Sequence, residues 1–351
     1  FKEGKCMNKI FKVIWSKSKQ CYVVVSEMAK NKTGKKKIVV ASILAALAMQ
    51  TAGVTDVAAA AGDLPSASYA NGTVASGKTN GLAIGNAANS GSNQSIAIGY
   101  FSEATAPEVT PAALPATAVG AGAKAKGYST VALGLSAAAE ADSATALGSK
   151  TSATGDRTVA VGSDANATGR YASAFGADAS AVGNATAVGA NSLASVDAAV
   201  AVGTDSKATG NYASALGGGA TASNNDATAF GHGTVASGAS STALGTRAKA
   251  GALAAVGVGM FANATKEYSI AIGGESSSSA DNSIAIGKKS SATGENGIAI
   301  GASTISKGAN GVAVGTNGTT AELGGVAVGQ AAKSNKFNSV AMGMNVTADG
   351  D

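Results

Sequence analysis

A five-residue pattern, x-Φ-Ala-Φ-Gly (Φ is mostly Val, Ile, Leu or Thr), occurs nineteen times between Gly81 and Gly343. Of the 18 intervals between its closing glycines, 16 are 14 residues long, one is 21 and one is 13. A fixed period is typical of a solenoid, in which each repeat buries its apolar face against its neighbours. We therefore expect function on a repeated surface rather than in one pocket.

Within each repeat the residue types alternate with a period of two, which indicates β-strands. In the repeat 158–171, Val159 and Val161 flank Ala160, and a second alternation places Ala165 and Ala167 between polar residues. Glycine at this density excludes helix and suits tight turns. The sequence predicts an all-β fold, a parallel β-roll (solenoid) of 14-residue repeats, with small residues such as Ala123/Ala125, Ser206/Ala208 and Ser290/Ala292 filling a narrow interior.

The larger apolar residues on either side of the repeated alanine are expected to face outward. Two apolar columns along a rod form a patch larger than soluble monomers tolerate, so burial against identical copies is the natural resolution. The alternative is that these columns are the interior of a wider single solenoid. The residues predicted to form a trimer interface are Ile84, Ile98, Val131, Leu133, Val159, Val161, Ile270, Ile272, Ile284, Ile286, Ile298, Ile300, Val340 and Met342.

The basic character of the chain is confined to its N-terminal segment. The formal net charge is +5, but residues 1–50 hold 11 lysines against Glu3 and Glu27, so the remainder is mildly acidic. That balance argues against nucleic-acid binding. Lys35–Lys37, the apolar run Ile38–Met49 and the small residues before Ala61 are typical of a secretory signal, cleaved near Ala59–Ala61; a buried core helix is the alternative.

The predicted organisation is an extended signal peptide over residues 1–61 with Met7 as start, an entry segment over 62–80 and the β-roll over 81–351. The 21-residue interval marks an insertion at 100–116 that contains Pro107, Pro111 and Pro115. Proline cannot join the ladder, so the insertion is expected to leave the roll as a loop. It is either a candidate ligand-binding loop or a tolerated decoration. The 13-residue interval, Gly176–Gly189, predicts a one-residue deletion in a turn.

Two segments resemble a known family. Asn282–Gly287 (NSIAIG) and Asn338–Gly343 (NSVAMG) are similar to the motif of the YadA-like head of trimeric autotransporter adhesins, and the leader resembles their extended signal peptide region. The resemblance implies a left-handed roll assembling as a side-by-side homotrimer, exported by the type V pathway to a Gram-negative outer surface. Family members continue into a stalk and membrane anchor; the chain stops at Asp351 within the repeat, so we expect an N-terminal fragment that meets the membrane only through an anchor outside it.

Residues able to carry catalysis are scarce. The one histidine, His232, lies in a predicted turn, and both cysteines, Cys6 and Cys21, fall in the leader. No Ser-His-Asp or Cys-His set can be built, so we expect no enzyme, no metal and no cofactor. The predicted function is multivalent adhesion to a host matrix protein, a glycan or a bacterial surface receptor. A self-associating structural fibre and a polysaccharide-cleaving solenoid are the alternatives.

Overall fold

The computed structural model describes residues 80–107 and 115–350 in full. It also gives the backbone of four strands outside those ranges: Phe11–Ser16, Cys21–Ser26, Ala67–Tyr69 and Thr73–Val74. Two compact units are formed, Phe1–Thr55 and Asp56–Asp351. In the first, Phe11–Ser16 and Cys21–Ser26 pair antiparallel, with Phe11 opposite Ser26. The predicted apolar run Ile38–Met49 and cleavage region Ala59–Ala61 lie outside the described residues.

The second unit is a parallel β-solenoid, which confirms the predicted all-β fold and its 14-residue spacing. Each repeat, which is one coil of the solenoid, contributes one three-residue strand to sheet 1 and one two-residue strand to sheet 2. The described strands of sheet 1 are Ala67–Tyr69, Leu82–Ile84, Ile96–Ile98, Thr117–Val119, Val131–Leu133, Thr145–Leu147, Val159–Val161, Ser173–Phe175, Thr186–Val188, Val200–Val202, Ser214–Leu216, Thr228–Phe230, Thr242–Leu244, Val256–Val258, Ile270–Ile272, Ile284–Ile286, Ile298–Ile300, Val312–Val314, Val326–Val328 and Val340–Met342.

The strands of sheet 2 follow those of sheet 1 in every turn. Those described are Thr73–Val74, Asn89–Ser90, Glu103–Ala104, Lys124–Ala125, Ala138–Ala139, Ser152–Ala153, Asn166–Ala167, Ser180–Ala181, Leu193–Ala194, Lys207–Ala208, Thr221–Ala222, Val235–Ala236, Lys249–Ala250, Asn263–Ala264, Ser277–Ser278, Ser291–Ala292, Ile305–Ser306, Thr320–Ala321, Lys333–Ser334 and Thr347–Ala348. The first strand of each sheet precedes Gly81, so both ladders extend one turn further toward the N terminus than the glycine pattern.

Pairing is in register from one turn to the next. Val159 pairs with Ser173 and Val161 with Phe175 in sheet 1, while Asn166 pairs with Ser180 in sheet 2. In a parallel ladder successive strands lie about 4.8 Å apart and every backbone amide and carbonyl finds a partner in the adjacent turn. The same residue position therefore forms a straight column along the roll.

The interior is lined by small side chains. In the turn that contains Val159–Val161, the inward residues are Thr158, Ala160, Ala165 and Ala167, and none of them is accessible to solvent. Buried hydroxyls are satisfied locally: Thr158 Oγ1 donates to the Gly155 carbonyl at 2.7 Å, and Ser206 Oγ to that of Gly203 at 2.8 Å. The predicted interior columns are thus confirmed, with alanine, serine and threonine filling the space between the sheets.

Two four-residue β-turns close each repeat. Turn 1 follows sheet 1 and begins at the closing glycine; turn 2 follows sheet 2. The third residue of each turn has positive φ, as for Asp164 (56°) and Arg157 (56°). Positive φ at the third position is the mark of a type II turn, which favours Gly or Asn there. Most of the described β-turns have a residue other than Gly or Asn at that position. The backbone hydrogen bonds between repeats therefore stabilise the turn conformation as much as the residue type does.

Three irregularities interrupt the repeat. The seven extra residues of the 21-residue interval lie between Glu103–Ala104 and Thr117–Val119, within 105–116, and sheet 1 continues across them with Ile96 paired to Thr117. Pro107 and Pro115 are exposed; Pro111 lies outside the described residues. The 13-residue interval is a one-residue deletion in turn 2 at Gly183–Asn184, as predicted.

The third irregularity is invisible in the spacing of the glycines. Turn 1 at Gly315–Gly318 is one residue longer than its neighbours and turn 2 at Leu323–Gly324 is one residue shorter. Ile305 therefore pairs with Thr320, 15 residues on, and Thr320 with Lys333, 13 residues on. The insertion and the deletion cancel, so the interval from Gly315 to Gly329 remains 14.

The shortened β-turn at Asn184 is hydrogen-bonded to Asp197 in the corresponding β-turn of the next repeat. Asn184 Nδ2 and its backbone N–H both donate to Asp197 Oδ1, at 2.7 and 3.2 Å. These two bonds, the side-chain one first, hold the pKa of the Asp197 carboxyl below its usual value of 3.8. The exposed carboxylate thus serves as an acceptor across the deletion.

Substituting the closing glycine of one turn should be costly, and the same turn supplies the controls. Gly217 has φ +131°, and an alanine Cβ there would lie 2.5 Å from the carbonyl oxygen of Gly231. We expect Gly217→Ala to lower the free energy of unfolding by about 3 kcal/mol or more, because strain and overlap add. In Gly218→Ala the nearest atom is 3.6 Å from the new Cβ and φ is not positive, so the change should stay within about 0.5 kcal/mol.

Denaturant unfolding of the three proteins checks this prediction. Gly219→Ala should be intermediate, since φ is +65° but the nearest atom is 4.0 Å away. Equal losses of stability in Gly217→Ala and Gly218→Ala would contradict the predicted overlap between a Cβ at 217 and the backbone of Gly231.

Removing the amide of Asn184 should raise the pKa of Asp197. Since folding lowers that pKa, the bonds stabilise the folded chain above the unfolded pKa, and this contribution is lost as pH falls through the folded value, below 3.8. We expect Asn184→Ala to move the Asp197 titration toward its usual range and to reduce stability at neutral pH more than at low pH. Carboxyl NMR titration measures the shift; Asn191→Ala, whose amide contacts Asp205 instead, is the control. An unchanged Asp197 titration would refute the assignment.

Candidate interaction surfaces

The outward side of sheet 1 is an apolar face. Each strand of this sheet directs its central residue inward and its two flanking residues outward; we call such an outward pair a row. All fourteen predicted interface residues lie in these rows, half-buried or exposed in the single chain. The alanine between them is fully buried, so the alternative of a wider solenoid with these columns inside is wrong. Ile272 is 37% exposed and Phe230 51%.

Several members of this face are not among the fourteen predicted residues. Phe175, Phe230, Val202, Leu216 and Leu244 stand in the second column, the one next to the closing glycine. They could have been predicted from their position in the pentapeptide, because every residue just before the closing glycine points outward from sheet 1. The face is continuous through the repeats from Leu82 to Met342, and the described residues of its rows include no charged side chain.

The outward side of sheet 2 is polar. Its rows hold mainly lysine, serine, threonine and asparagine, as in Lys124/Lys126, Thr221/Ser223 and Ser277/Ser279, with a few apolar residues such as Leu193, Val235 and Ile305 among them. Lys126 Nζ lies 3.4 Å from Glu103 Oε2, an exposed pair of little energetic weight. The two faces therefore differ in polarity.

The charged and aromatic residues outside the apolar face are divided among three surfaces. Lys124, Lys126, Lys207, Lys249, Lys307 and Lys333 belong to the polar face. Lys150, Arg247, Lys288 and Lys289 lie in turns 1, and Arg157 and Arg170 in turns 2. The tyrosines Tyr128, Tyr171, Tyr212 and Tyr268 are also in turns 2. The polar face and the two turn edges each present their own set of side chains.

A few of the aromatic side chains in the turns make contacts with a neighbouring ring or guanidinium. Arg157 Nη1 donates to the Tyr171 hydroxyl at 2.6 Å, and the guanidinium carbons of Arg157 and Arg170 lie 5.5 and 5.0 Å from the Tyr171 ring centroid. On turn 1, Tyr100 and Phe101 make an edge-to-face contact with ring centroids 4.4 Å apart. Exposed aromatic and arginine groups of this kind are common at binding surfaces.

No arrangement suited to catalysis emerges in the part of the chain that the structure describes. His232 is exposed in turn 1, and no group of three His, Cys, Asp or Glu residues in the described ranges could hold a metal ion. The acids are spread over three surfaces, with Asp164, Asp178 and Asp205 in turns 1, Asp197 and Asp226 in turns 2, and Glu103, Glu140 and Glu322 on the polar face.

Comparison with protein families matches both parts of the chain. Residues 7–55 match the Extended Signal Peptide of Type V secretion system. The YadA head domain repeat matches residues 75–102, 115–137, 125–151, 139–165, 153–179, 183–206, 208–234, 222–248, 236–259, 264–290, 292–317 and 323–345. The interval between the first two of these segments coincides with the insertion.

Comparison with solved structures gives a further similarity. The collagen-binding domain of the Yersinia adhesin YadA is similar at 18% identity over 68% of this chain and 79% of that one, with a TM-score of 0.13. No curated protein sequence matches. Among the described residues, no helix has the length and apolar character to cross a membrane.

The fold and the leader together define a type V secreted surface adhesin. Since the head-repeat segments cover well over half of its length, the chain belongs to the YadA-like trimeric autotransporter adhesins. Export and a cell-surface location follow from this membership and from the extended signal peptide.

A charge on the apolar face should prevent association if that face is covered by other copies. Ile272→Glu would bring unpaired carboxylates together in a desolvated interface, which costs several kcal/mol. We expect the variant to show a lower mass than the parent by sedimentation, with unchanged strand content by circular dichroism. Ser277→Glu, on the polar face of the same turn, is the matched control and should leave the mass unchanged. Equal masses for all three proteins would count against burial of this face.

Proposed function

We propose that this chain is the non-catalytic head of a homotrimeric adhesin, displayed at the outer membrane of a Gram-negative bacterium. Three left-handed rolls pack through their apolar faces, and the polar faces and turn edges bind host extracellular matrix, host cells or other bacteria. The observation that carries the proposal is the unbroken apolar face of sheet 1, which a single chain leaves open to solvent. The fourteen interface residues named above form the centre of that contact.

Association about a symmetry axis would also explain the contrast between the faces. A buried interface excludes charge, whereas a surface used for recognition presents polar, aromatic and cationic groups. Repetition lets individually weak contacts add, and three copies of each surface increase the number available to one ligand fibre or cell. Adhesion then requires no deep pocket.

A structural role is the second candidate. A rod of this kind could act by self-association and hold a more distal segment away from the cell. Binding of the purified chain to immobilised collagen, fibronectin and mucin separates the two. Saturable binding to any of them supports adhesion, while absence of binding to all three together with self-aggregation supports the structural role. Turnover of polysaccharides by the purified chain would overturn the non-catalytic assignment.

The proline-containing insertion should be removable without damage to the roll. Deleting residues 108–114 restores the 14-residue interval, and Pro115→Asn supplies a residue that tolerates the positive φ of the third turn position. If Pro107, Pro111 and Pro115 form the ligand loop, this variant should lose at least about tenfold in affinity for the bound matrix protein, equivalent to about 1.4 kcal/mol. Surface-immobilised binding assays measure the loss. A variant that retains both thermal stability and full binding shows that the loop is a decoration and places binding on the repeated surfaces.

A further inference from the structure

The β-turns of the roll leave one backbone donor and one backbone acceptor open. In the turn 1 that begins at Gly217, Ala220 N–H donates to the Gly217 carbonyl at 3.1 Å, and Gly219 N–H donates to Thr204 of the preceding repeat at 2.8 Å. The N–H of Gly218 and the carbonyl of Gly219 have no partner among the described residues. Because the N–H and C=O of one trans peptide point in opposite directions, both open groups point away from the bond that closes the turn.

Turn 2 shows which atom can occupy this open N–H. In three regular turns 2 the N–H of the second residue donates to a side-chain oxygen of the second residue in the next repeat. The donor and acceptor residues are Tyr128 and Asp142 at 2.9 Å, Asn211 and Asn225 at 3.3 Å, and Glu267 and Asp281 at 3.3 Å. Two of the three acceptors are carboxylates, which make stronger hydrogen bonds than neutral groups do. A carboxylate oxygen is therefore a natural acceptor for the open N–H of these β-turns.

Turn 1 supplies no such acceptor from within the chain. From the turn 1 that begins at Gly99 to the one that begins at Gly301, no second residue is Asp or Asn. None of the N–H groups of these second residues donates to a side-chain oxygen. The edge formed by turns 1 therefore presents the same donor to an acceptor outside the chain, wherever side chains do not cover it.

Side chains are nearly missing from two successive turns 1. The second and third residues of these turns are Gly218 and Gly219 in one repeat and His232 and Gly233 in the next. A Cβ at Gly218 would have its nearest neighbour, His232 Cδ2, 3.6 Å away, and a Cβ at Gly219 would have nothing nearer than 4.0 Å. We call the open space above these three glycines the glycine notch. Its floor offers the N–H groups of Gly218 and His232, about 4.8 Å apart, and the carbonyls of Gly219 and Gly233.

The charges around the glycine notch favour an isolated carboxylate. Arg247 lies in the next repeat, with its guanidinium carbon 5.7 Å from the Phe261 ring centroid and no ion pair to a carboxylate of the described ranges. Asp205 in the preceding repeat accepts a hydrogen bond from Asn191 on the side away from the notch. Glu275 lies two repeats beyond Arg247. A long polyanion would meet both acids and be repelled, whereas a single carboxylate would meet the backbone donors and the arginine.

We propose that the glycine notch binds the carboxylate of an acidic sugar in a glycan. The carboxylate accepts from the N–H groups of Gly218 and His232, and the guanidinium of Arg247 supplies the opposite charge. Hydroxyls of the sugar ring donate to the open carbonyls of Gly219 and Gly233. An acidic side chain of a peptide would satisfy the donors and leave these acceptors unused, so the mixed floor favours a sugar. The inference rests on the proposed adhesive function and names the class of ligand at one site.

Binding to defined glycans tests the ligand class. The purified chain should bind a densely immobilised glycan that ends in sialic or glucuronic acid, because weak contacts add, and its neutral counterpart at least about tenfold more weakly. An immobilised acidic peptide should also bind at least about tenfold more weakly than the acidic glycan. Equal binding to the acidic and neutral glycans would overturn the role of the carboxylate. Binding to the peptide as strong as to the glycan would overturn the choice of a sugar.

The capping seen in turn 2 provides the variants. In His232→Asp the new carboxylate has the position relative to Gly218 that the capping acids have in turn 2. It should occupy the Gly218 N–H and repel the ligand, which weakens glycan binding at least about tenfold. His232→Ala leaves that N–H open and should stay within about threefold of the parent, since one exposed side-chain contact is worth little. Ala302→Asp adds the same charge to a turn 1 five repeats away and is the control, with unchanged binding expected.

The outcomes separate this site from the proposed function. Unchanged glycan binding by His232→Asp, with the strand content of the parent by circular dichroism, overturns the notch as the site. Full binding by His232→Asn, an uncharged cap like Asn225, overturns the capping geometry. If the parent binds neither acidic glycan but does bind an immobilised matrix protein, the notch proposal fails and adhesion stands. A parent chain that binds no glycan, matrix protein or mucin overturns both.

Discussion

The closeness of the two sheets determines the rest of this structure. Fourteen residues per turn leave room between the sheets for alanine, serine, threonine and glycine only. Gly257, the one exception to the repeated alanine, lies where a Cβ would overlap the carbonyl oxygen of Lys249. An interior this small buries little apolar area in each turn. The valines and isoleucines of the repeat therefore lie outside, where a single chain leaves them partly open to solvent.

The same short turn forces the backbone into tight corners. Both turns place their third residue at positive φ, and residues as different as Tyr171, Asp205 and Lys289 hold that conformation. Each costs up to about 1–2 kcal/mol outside glycine, and the in-register ladder compensates by pairing the backbone on both sides. Because the side chains at these corners point to solvent, they can vary without affecting either sheet. The residues that differ most freely from repeat to repeat therefore lie in the β-turns at the edges of the roll.

Much of the fold could be predicted because each position of the pentapeptide corresponds to one environment: alanine to the interior, its two neighbours to the outward face, and glycine to the β-turn. The alternation around Ala160 gives the strand, the inward alanine and the outward valines without reference to any neighbour. The turn at Ala67–Tyr69 was missed because its sequence lacks the closing glycine. The compensating changes at Gly315–Gly318 and Leu323–Gly324 were missed because they preserve the period.

The division of the cations among three surfaces shows another limit of the sequence. Alternation separates inward from outward residues, but it does not tell which outward residues share a surface. Lys126 and Arg157 are both outward, yet one lies on the polar face and the other on a turn edge.

In the proposed trimer, assembly and recognition use separate positions of the repeat, and this separation bears on how a ligand would be bound. The insertion occurs once in each chain, so a trimer would present it three times. A surface on the polar face or on a turn edge recurs in every repeat, and its contacts with an extended ligand would increase with the length of the roll. A loop ligand would then bind at a fixed stoichiometry, whereas a ligand of the repeated surfaces would gain affinity with its own length. Because the apolar rows are unaffected by either mode, the ligand could change in evolution while the assembly stayed the same.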